Sequence, residues 1–256
     1  MLEQYITETA DLLHDSSHSF YSRTQLIRYI NSARRQCAYR SGCIRCLVTG
    51  KSPFGGGAQP GSIIPGAAQP GVLPGAGANA ENSTPTNDFM TIGGVEMYPF
   101  AFANSYLKAQ YSGTKAVVDI IEVAVSWGSI RPALTWMPWD DLQAYARSYN
   151  VGVTSYPFVW STNSDGENAN LWLFPVPTAA MEMEWDVIAV PLDLFDDSAH
   201  EAIPSPYRDA VKYYAAHLAY MNSQRHSLAE NMLRLMVENL QVSRAASERS
   251  RQGSYY

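Results

Sequence analysis

The stretch Ile203-Pro204-Ser205-Pro206-Tyr207-Arg208-Asp209-Ala210-Val211 opens the part of the chain that decides the fold, residues 203–242. Beyond it, Tyr207, Val211, Tyr214, Leu218 and Met221 recur at alternating steps of four and three. Leu228, Met232 and Leu235 continue the rhythm, with Ala229, Leu233, Met236 and Leu240 beside them. Helical geometry puts residues at that spacing on one face. Ser205 is placed to cap the first helix, and Pro206 fits a first turn, where no amide donor is needed. Residues 224–227 are polar and break the pattern. Ser227, with Glu230 three residues on, reads as the capping box of a second helix. The stretch is therefore a helical hairpin with an apolar stripe on each arm, and such stripes need an apolar partner.

The N-terminus offers that partner. Residues 2–13 predict a helix, with Leu2, Tyr5, Ile6, Leu12 and Leu13 apolar. Ser22 and Gln25 form a second capping-box pattern. The helix after it carries Leu26, Ile30, Ala33 and Cys37 on one stripe and Arg28, Arg34, Arg35 and Arg40 elsewhere, and Gly42 is placed to stop it. The two chain ends thus predict one helical layer.

Between the ends the composition shifts twice. Residues 52–80 carry no charge, and Pro60, Pro65, Pro70 and Pro74 are each followed by glycine without a collagen period. Too little side chain is available there to offset the entropy of ordering. The run reads either as a tolerated insertion or as an extended arm that orders only against a partner. Residues 89–194 read as a β region. Residues 115–127 are a nearly continuous Val/Ile run, which predicts a strand covered on both faces. Residues 138–149 predict a short helix with Asp140 and Asp141 in its first turn. The segments 156–162 and 169–174 flank a turn, a hairpin signal, and Pro175-Val176-Pro177 stops the second strand. Met181, Met183, Trp185 and Val187 then alternate with Glu182, Glu184 and Asp186, one face buried and one wet. The fold class predicted is α+β: a helical bundle built from both chain ends, with a mostly antiparallel β domain inserted. Its parts are residues 1–48, the arm 49–88, the β domain 89–195, the hairpin 196–242 and a tail 243–256, which shows no apolar stripe and predicts an unfolded end.

The chain has 256 residues, 46% of them hydrophobic, and a net charge of -6. That is enough apolar content for a proper core, and the charge argues against a general nucleic-acid binder. A wall that DNA slides past without sticking is compatible with it. Three cysteines do not make a secreted disulfide scaffold. No run is long and apolar enough to span a membrane, and Met1-Leu2-Glu3 does not begin a signal peptide, so synthesis in a reducing cytoplasm is expected.

Chemistry is hard to place on these residues. None of His14, His18, His200, His217 and His226 sits in a metalloprotease pattern, and no serine lies in a nucleophile elbow. Cys43 and Cys46 have CxxC spacing, but Cys37 is the one further ligand nearby, short of a zinc set. Asp140 and Asp141, as helix neighbours, do not face each other. The row Glu182, Glu184 and Asp186 reads as a solvated face more readily than as a cation site. Gly93-Gly94 is a turn and not a phosphate loop. No catalytic residue, metal site or cofactor is expected.

One resemblance is carried by an ordered series: Trp127-Gly128-Ser129-Ile130-Arg131-Pro132, Pro138-Trp139-Asp140-Asp141-Leu142, Tyr156-Pro157-Phe158-Val159-Trp160, Leu173-Phe174-Pro175-Val176-Pro177, Met183-Glu184-Trp185-Asp186, Ala202-Ile203-Pro204 and Ala210-Val211-Lys212-Tyr213-Tyr214. In that order it resembles the head-to-tail adaptor (connector) proteins of short-tailed bacteriophages, over residues 2–242 apart from the arm. The resemblance implies a structural virion protein at the head–tail junction, made in the host bacterial cytoplasm. It implies a homo-oligomeric ring, expected to be a dodecamer, beneath the portal protein. Such a ring extends the channel for double-stranded DNA, without sequence recognition, and seats the tail nozzle protein. On that reading Arg249, Arg251, Tyr255 and Tyr256 are expected to dock on the portal, and Pro60, Pro65, Pro70 and Pro74 to contact a neighbouring or decorating protein. Two alternatives stand beside it: a tail nozzle subunit, and a carbohydrate-binding or wall-degrading module prompted by Trp136, Trp139, Trp160, Trp172 and Trp185. Alternation groups Trp185 with Met181 and Met183, which favours core over a sugar platform.

Overall fold

The structure is a computed structural model that describes residues 1–17, 19–50, 89–128, 130–148, 154–164 and 166–251, with side chains as far as 245. In chain order its elements begin with α1 (Leu2–Leu12), α2 (Arg23–Ser41), β1 (Arg45–Thr49), β2 (Met97–Pro99), α3 (Phe100–Gln110), β3 (Thr114–Val125) and β4 (Thr135–Trp136). There follow α4 (Trp139–Ser148), β5 (Thr154–Ser155), β6 (Val159–Thr162), β7 (Asn170–Phe174), β8 (Val176–Pro177), β9 (Met183–Pro191), α5 (Ser205–Asn222) and α6 (His226–Arg251). The class is α+β, as the sequence predicts.

Local chemistry accounts for the helix ends. Between α1 and α2, His14 adopts φ 54°, and the Asp15 carboxylate accepts the backbone amides of Ser19, Phe20 and Tyr21 at 2.8–2.9 Å. Burial by itself would raise that carboxyl; the amides of Tyr21, Phe20 and Ser19 outweigh it and hold the group down at about 2. Ser22 and Gln25 form the predicted capping box, and Gly42 ends α2 at φ 60°, open to glycine without steric cost. At the other end of the chain three details differ from expectation. The N-cap of α5 is Pro204 and not Ser205, because the extended proline sets the entry and leaves Ser205 as the first helical residue. Helix α6 starts at His226, so Ser227 lies inside it. It also continues past Val242 to Arg251 where an unfolded tail was expected. Ser243 is buried there and its hydroxyl donates to the carbonyl of Pro206, so α5 still covers this turn of α6.

Helix α5 is the centre of the layer, with α1, α2 and α6 packed on it. It buries Tyr207, Ala210, Val211, Ala215, Ala216, Ala219 and Tyr220, while Tyr214 and Leu218 are half-buried and Met221 is exposed. The buried face is thus rotated from the large residues onto the alanines. A helix covered by three others needs small side chains to let their backbones approach. In α6, likewise, Ala229, Met236 and Leu240 are buried and Leu228 lies outside.

The β part holds three sheets. Strands β1-β9-β3 are antiparallel, with Val48 and Val123 opposite Trp185 in β9. Strands β2-β7-β6-β4 form the second sheet, with the predicted β6–β7 hairpin antiparallel and β4 parallel to β6. Strands β5 and β8 pair in parallel, so the Pro175-Val176-Pro177 stop is followed at once by a short new pairing. Alternation in β9 holds: Met183, Trp185 and Val187 are buried, and Glu184 and Asp186 are half-exposed. Strand β3 is not covered on both faces throughout. Asp119, Ile121 and Glu122 are exposed, because β3 is a sheet edge with register shifts in the middle. Helix α3 falls inside the stretch read as β. Phe100 and Phe102 alternate like strand residues, but the buried positions Phe100, Ala103 and Leu107 follow helical steps. That helix covers the buried face of the first sheet, where Phe89 packs on Trp185 at 5.0 Å and on Phe102 at 5.3 Å between ring centroids. One continuous apolar core runs from α1 through the sheets to α6.

Candidate assembly interface

The residues singled out as docking positions are the hardest to place. Arg249 and Arg251 belong to the helical run of α6, but their side chains lie outside the described residues, as do Tyr255, Tyr256, Pro60, Pro65, Pro70 and Pro74. Of the candidates for chemistry, His18 also lies outside the described residues, and several of the others have structural partners. Cys37 and Cys46 are buried, Cys43 is half-buried, and all three are free thiols. Burial pushes Cys37 up to about 12 and Cys46 to about 11, so both stay protonated and unreactive. The row on β9 is engaged by arginines: Arg131 bonds to Glu184 at 2.9 Å and reaches Glu182, and Arg45 pairs with Asp186. Asp140 and Asp141 are exposed in the first turn of α4. His217 Nδ1 lies 2.8 Å from the carbonyl of Ala229, tying α5 to α6. Among the described residues no group of three or more His, Cys, Asp or Glu side chains could hold a metal ion, and no helix is long and apolar enough to cross a membrane.

What the surface offers is contact. The edges of the first sheet are closed to strand addition. On β1 the Tyr111 hydroxyl accepts from the Leu47 amide at 3.1 Å and donates to its carbonyl at 3.2 Å, and Gln110 donates to the carbonyl of Thr49. On β3 the Val117 amide donates to the Asn104 side chain at 2.9 Å, and the Gly166 amide to the carbonyl of Val118 at 3.0 Å. Blocked edges direct association to side-chain faces.

Two such faces sit on different parts of the helical layer. On α6, Leu228, Met232, Leu235, Asn239 and Val242 follow one another at steps of four and three, beside the buried stripe. Leu228 is exposed, Met232, Leu235 and Asn239 are half-buried, and Val242 is 70% exposed. The other holds Phe195, 77% exposed, beside Ile27 and Arg28, and Phe20, 83% exposed, stands separately in the turn before α2. A third face, on the second sheet, is aromatic: Trp139 meets Trp172 at 4.9 Å, Tyr145 meets Phe174 at 5.5 Å, and Trp136, Tyr156 and Phe158 are exposed. Trp185 and Trp160 are core residues.

The faces are held in register by a buried polar hub that the sequence reading passed over. Arg34, fully buried, donates to both oxygens of Glu201, at 3.0 and 2.8 Å, and to the carbonyl of Leu192 at 2.6 Å. Asn31 beside it exchanges two hydrogen bonds with the backbone of Leu194, and Glu201 also accepts the Ile203 amide at 2.9 Å. The hub fastens the segment between β9 and α5 onto α2. The signal was present: Arg34 follows Ile30 by four residues and so falls on the buried stripe. Phe20 and Phe195 carry no periodic signal, being single aromatic residues in turns.

A family model described as SU10 adaptor protein matches residues 2–254 of the chain. No curated protein matches it.

Proposed function

Because the chain belongs to the SU10 adaptor protein family, a structural phage adaptor with a virion role, we propose that it forms the ring between the portal and the tail nozzle. The ring is expected to be a dodecamer that extends the channel for double-stranded DNA and completes the head. The observation that carries the reading is a family match over nearly the whole chain. Physical features agree with it. A head-to-tail ring needs two different patches on each subunit. The α6 stripe and the exposed Phe195 beside Ile27 and Arg28 supply two, on different elements. Capped edges keep the first sheet from pairing in an uncontrolled register. A net charge of -6 has the sign of DNA, so the wall repels what it must let slide.

Arg249, Arg251, Tyr255 and Tyr256 dock on the portal in this reading. Deleting residues 249–256 is the local test: attachment to portal-bearing heads at the unmodified level would sink that assignment. Pro60, Pro65, Pro70 and Pro74 are placed toward the outside of the ring, where protease sensitivity in the assembled particle reports their contacts. The decisive experiment mixes the purified chain with its cognate portal ring and images the particles by electron microscopy. A second ring stacked on the portal is expected. A folded chain that leaves intact portals bare overturns the reading.

A further inference from the structure

A groove of about 250 Å³ runs between α4 and the β2–β7 side of the second sheet. Its walls are aromatic. Trp139 from α4 and Trp172 from β7 meet at 4.9 Å with their planes tilted by 47°, and Phe174 lies on the same face of β7 two residues on. Leu142 and Ala146 line the α4 side, and the exposed Glu96 and Arg147 stand at the groove as its charged groups. The Nε1 of Trp172 is buried and has no acceptor among the described residues. The wall itself is apolar and aromatic, which favours an apolar occupant.

The chemistry of the walls selects that occupant. It must be apolar, narrow and already extended. A residue followed by proline is held in the extended region, and proline adds a ring without an amide donor. Aromatic-lined grooves recognise proline-containing extended segments for these reasons, at low entropy cost. The chain carries such a segment. Within the uncharged run 52–80, two units join aliphatic side chains to proline: Ile63-Ile64-Pro65-Gly66 and Val72-Leu73-Pro74-Gly75. The run leaves the fold after β1 and returns at Phe89, and Glu96, at the groove, follows Phe89 by only seven residues. Fifteen residues separate Pro74 from Phe89, enough chain to span about 50 Å, so reach is not limiting.

We propose that this groove seats the chain's own Pro/Gly run, entered through one of its two aliphatic-proline units. At about 30 Å³ per water the groove holds roughly eight waters, which the unit displaces. Tethering gives the run an effective concentration of the order of millimolar, so a weak contact suffices. The contact lies within one chain. It needs neither the portal nor the ring, and it replaces the outer contact for Pro65 or Pro74, whichever unit enters the groove, while the ring reading stands or falls separately.

The test uses the full chain with the photoreactive substitution Gln143→p-benzoylphenylalanine, which places the label at the groove. Irradiation is expected to link position 143 to residues 58–77 of the same chain, read by mass spectrometry. Mixing chains labelled with nitrogen-14 and nitrogen-15 separates links within a chain from links between chains. Ile64→Asp together with Leu73→Asp is expected to cut the yield about tenfold or more, since a carboxylate is excluded from an apolar groove. Equal yield in that variant, links only to other parts of the chain, or links only between chains would each overturn the proposal.

Discussion

Replacing Arg34 by methionine tests the hub that joins the helical layer to the β part. The guanidinium is fully buried and its partner Glu201 is 4% exposed. With Arg34 gone, the carboxylate keeps the Ile203 amide, at 2.9 Å, and the Leu192 carbonyl loses a 2.6 Å donor. Breaking a buried ion pair from one side costs about 3–5 kcal/mol, since the charge left behind is neither solvated nor paired. For a chain of this size that corresponds to a fall in melting temperature of about 6–20 °C. Glu201→Leu alone is expected to cost as much, by stranding the arginine. The double substitution is expected to be no worse than either single one, because no charge remains buried. Urea unfolding followed by tryptophan fluorescence measures all three, with a coupling of at least about 2 kcal/mol expected. A loss below about 1 kcal/mol for Arg34→Met, or simple additivity in the double variant, would refute the reasoning.

Asp15→Asn removes a carboxylate held at about 2 by three backbone amides. A depressed carboxyl stabilises the fold fully above its unfolded value of about 3.9 and loses that contribution as pH falls toward 2. The variant should therefore show a shallower loss of stability over that window in acid-unfolding curves, and an unchanged slope would count against the Asp15 turn. Val242→Asp changes a residue that is 70% exposed, so unfolding should shift by less than about 0.5 kcal/mol while ring formation on the portal is lost. Equal shifts in both, or in neither, would remove α6 as a ring contact. Tyr111→Phe uncaps Leu47 on β1, and a cost of about 0.5–1.5 kcal/mol with faster concentration-dependent aggregation in light scattering is expected. In the native protein at pH 8, Cys43 should alkylate before Cys37 and Cys46, with mass spectrometry giving the order.

Much of this fold was legible in the chain because much of it is local. The Ser22–Gln25 box, the glycine stop at Gly42, the hairpin of β6 and β7, and the two faces of β9 follow from residues a few positions apart. Each of those rules involves a neighbour that the sequence already displays. Periodicity also predicted that both chain ends are helical and pack together. Where it misled, the missing fact was a distant neighbour. It marked Tyr207, Val211, Tyr214, Leu218 and Met221 of α5 as the buried stripe; Tyr207 and Val211 are buried, but three helices crowd that helix and bury its alanines ahead of Tyr214, Leu218 and Met221. It ended α6 at Val242, yet Ser243 reaches back to Pro206, and that contact exists only once the hairpin closes. It placed residues 100–110 within the β region without marking a helix, whose position is set by packing such as that of Phe102 against Trp185.

The functional surface divides the same way. Composition and spacing bounded the expectation: a charge of -6, one incomplete CxxC pair and no nucleophile motif pointed to contact before chemistry. Those are sums and spacings, and folding does not alter them. Only the tertiary structure decided which contacts are available. Arg34 meets Glu201 across a separation of 167 residues, and Tyr111 meets Leu47 across 64. Phe195 is left exposed beside Ile27 and Arg28, and Trp139 and Trp172 become one wall of a groove, because α2 and α4 are laid against their neighbours. A side chain's identity is written in the sequence, but its exposure and its partner are properties of the packed core.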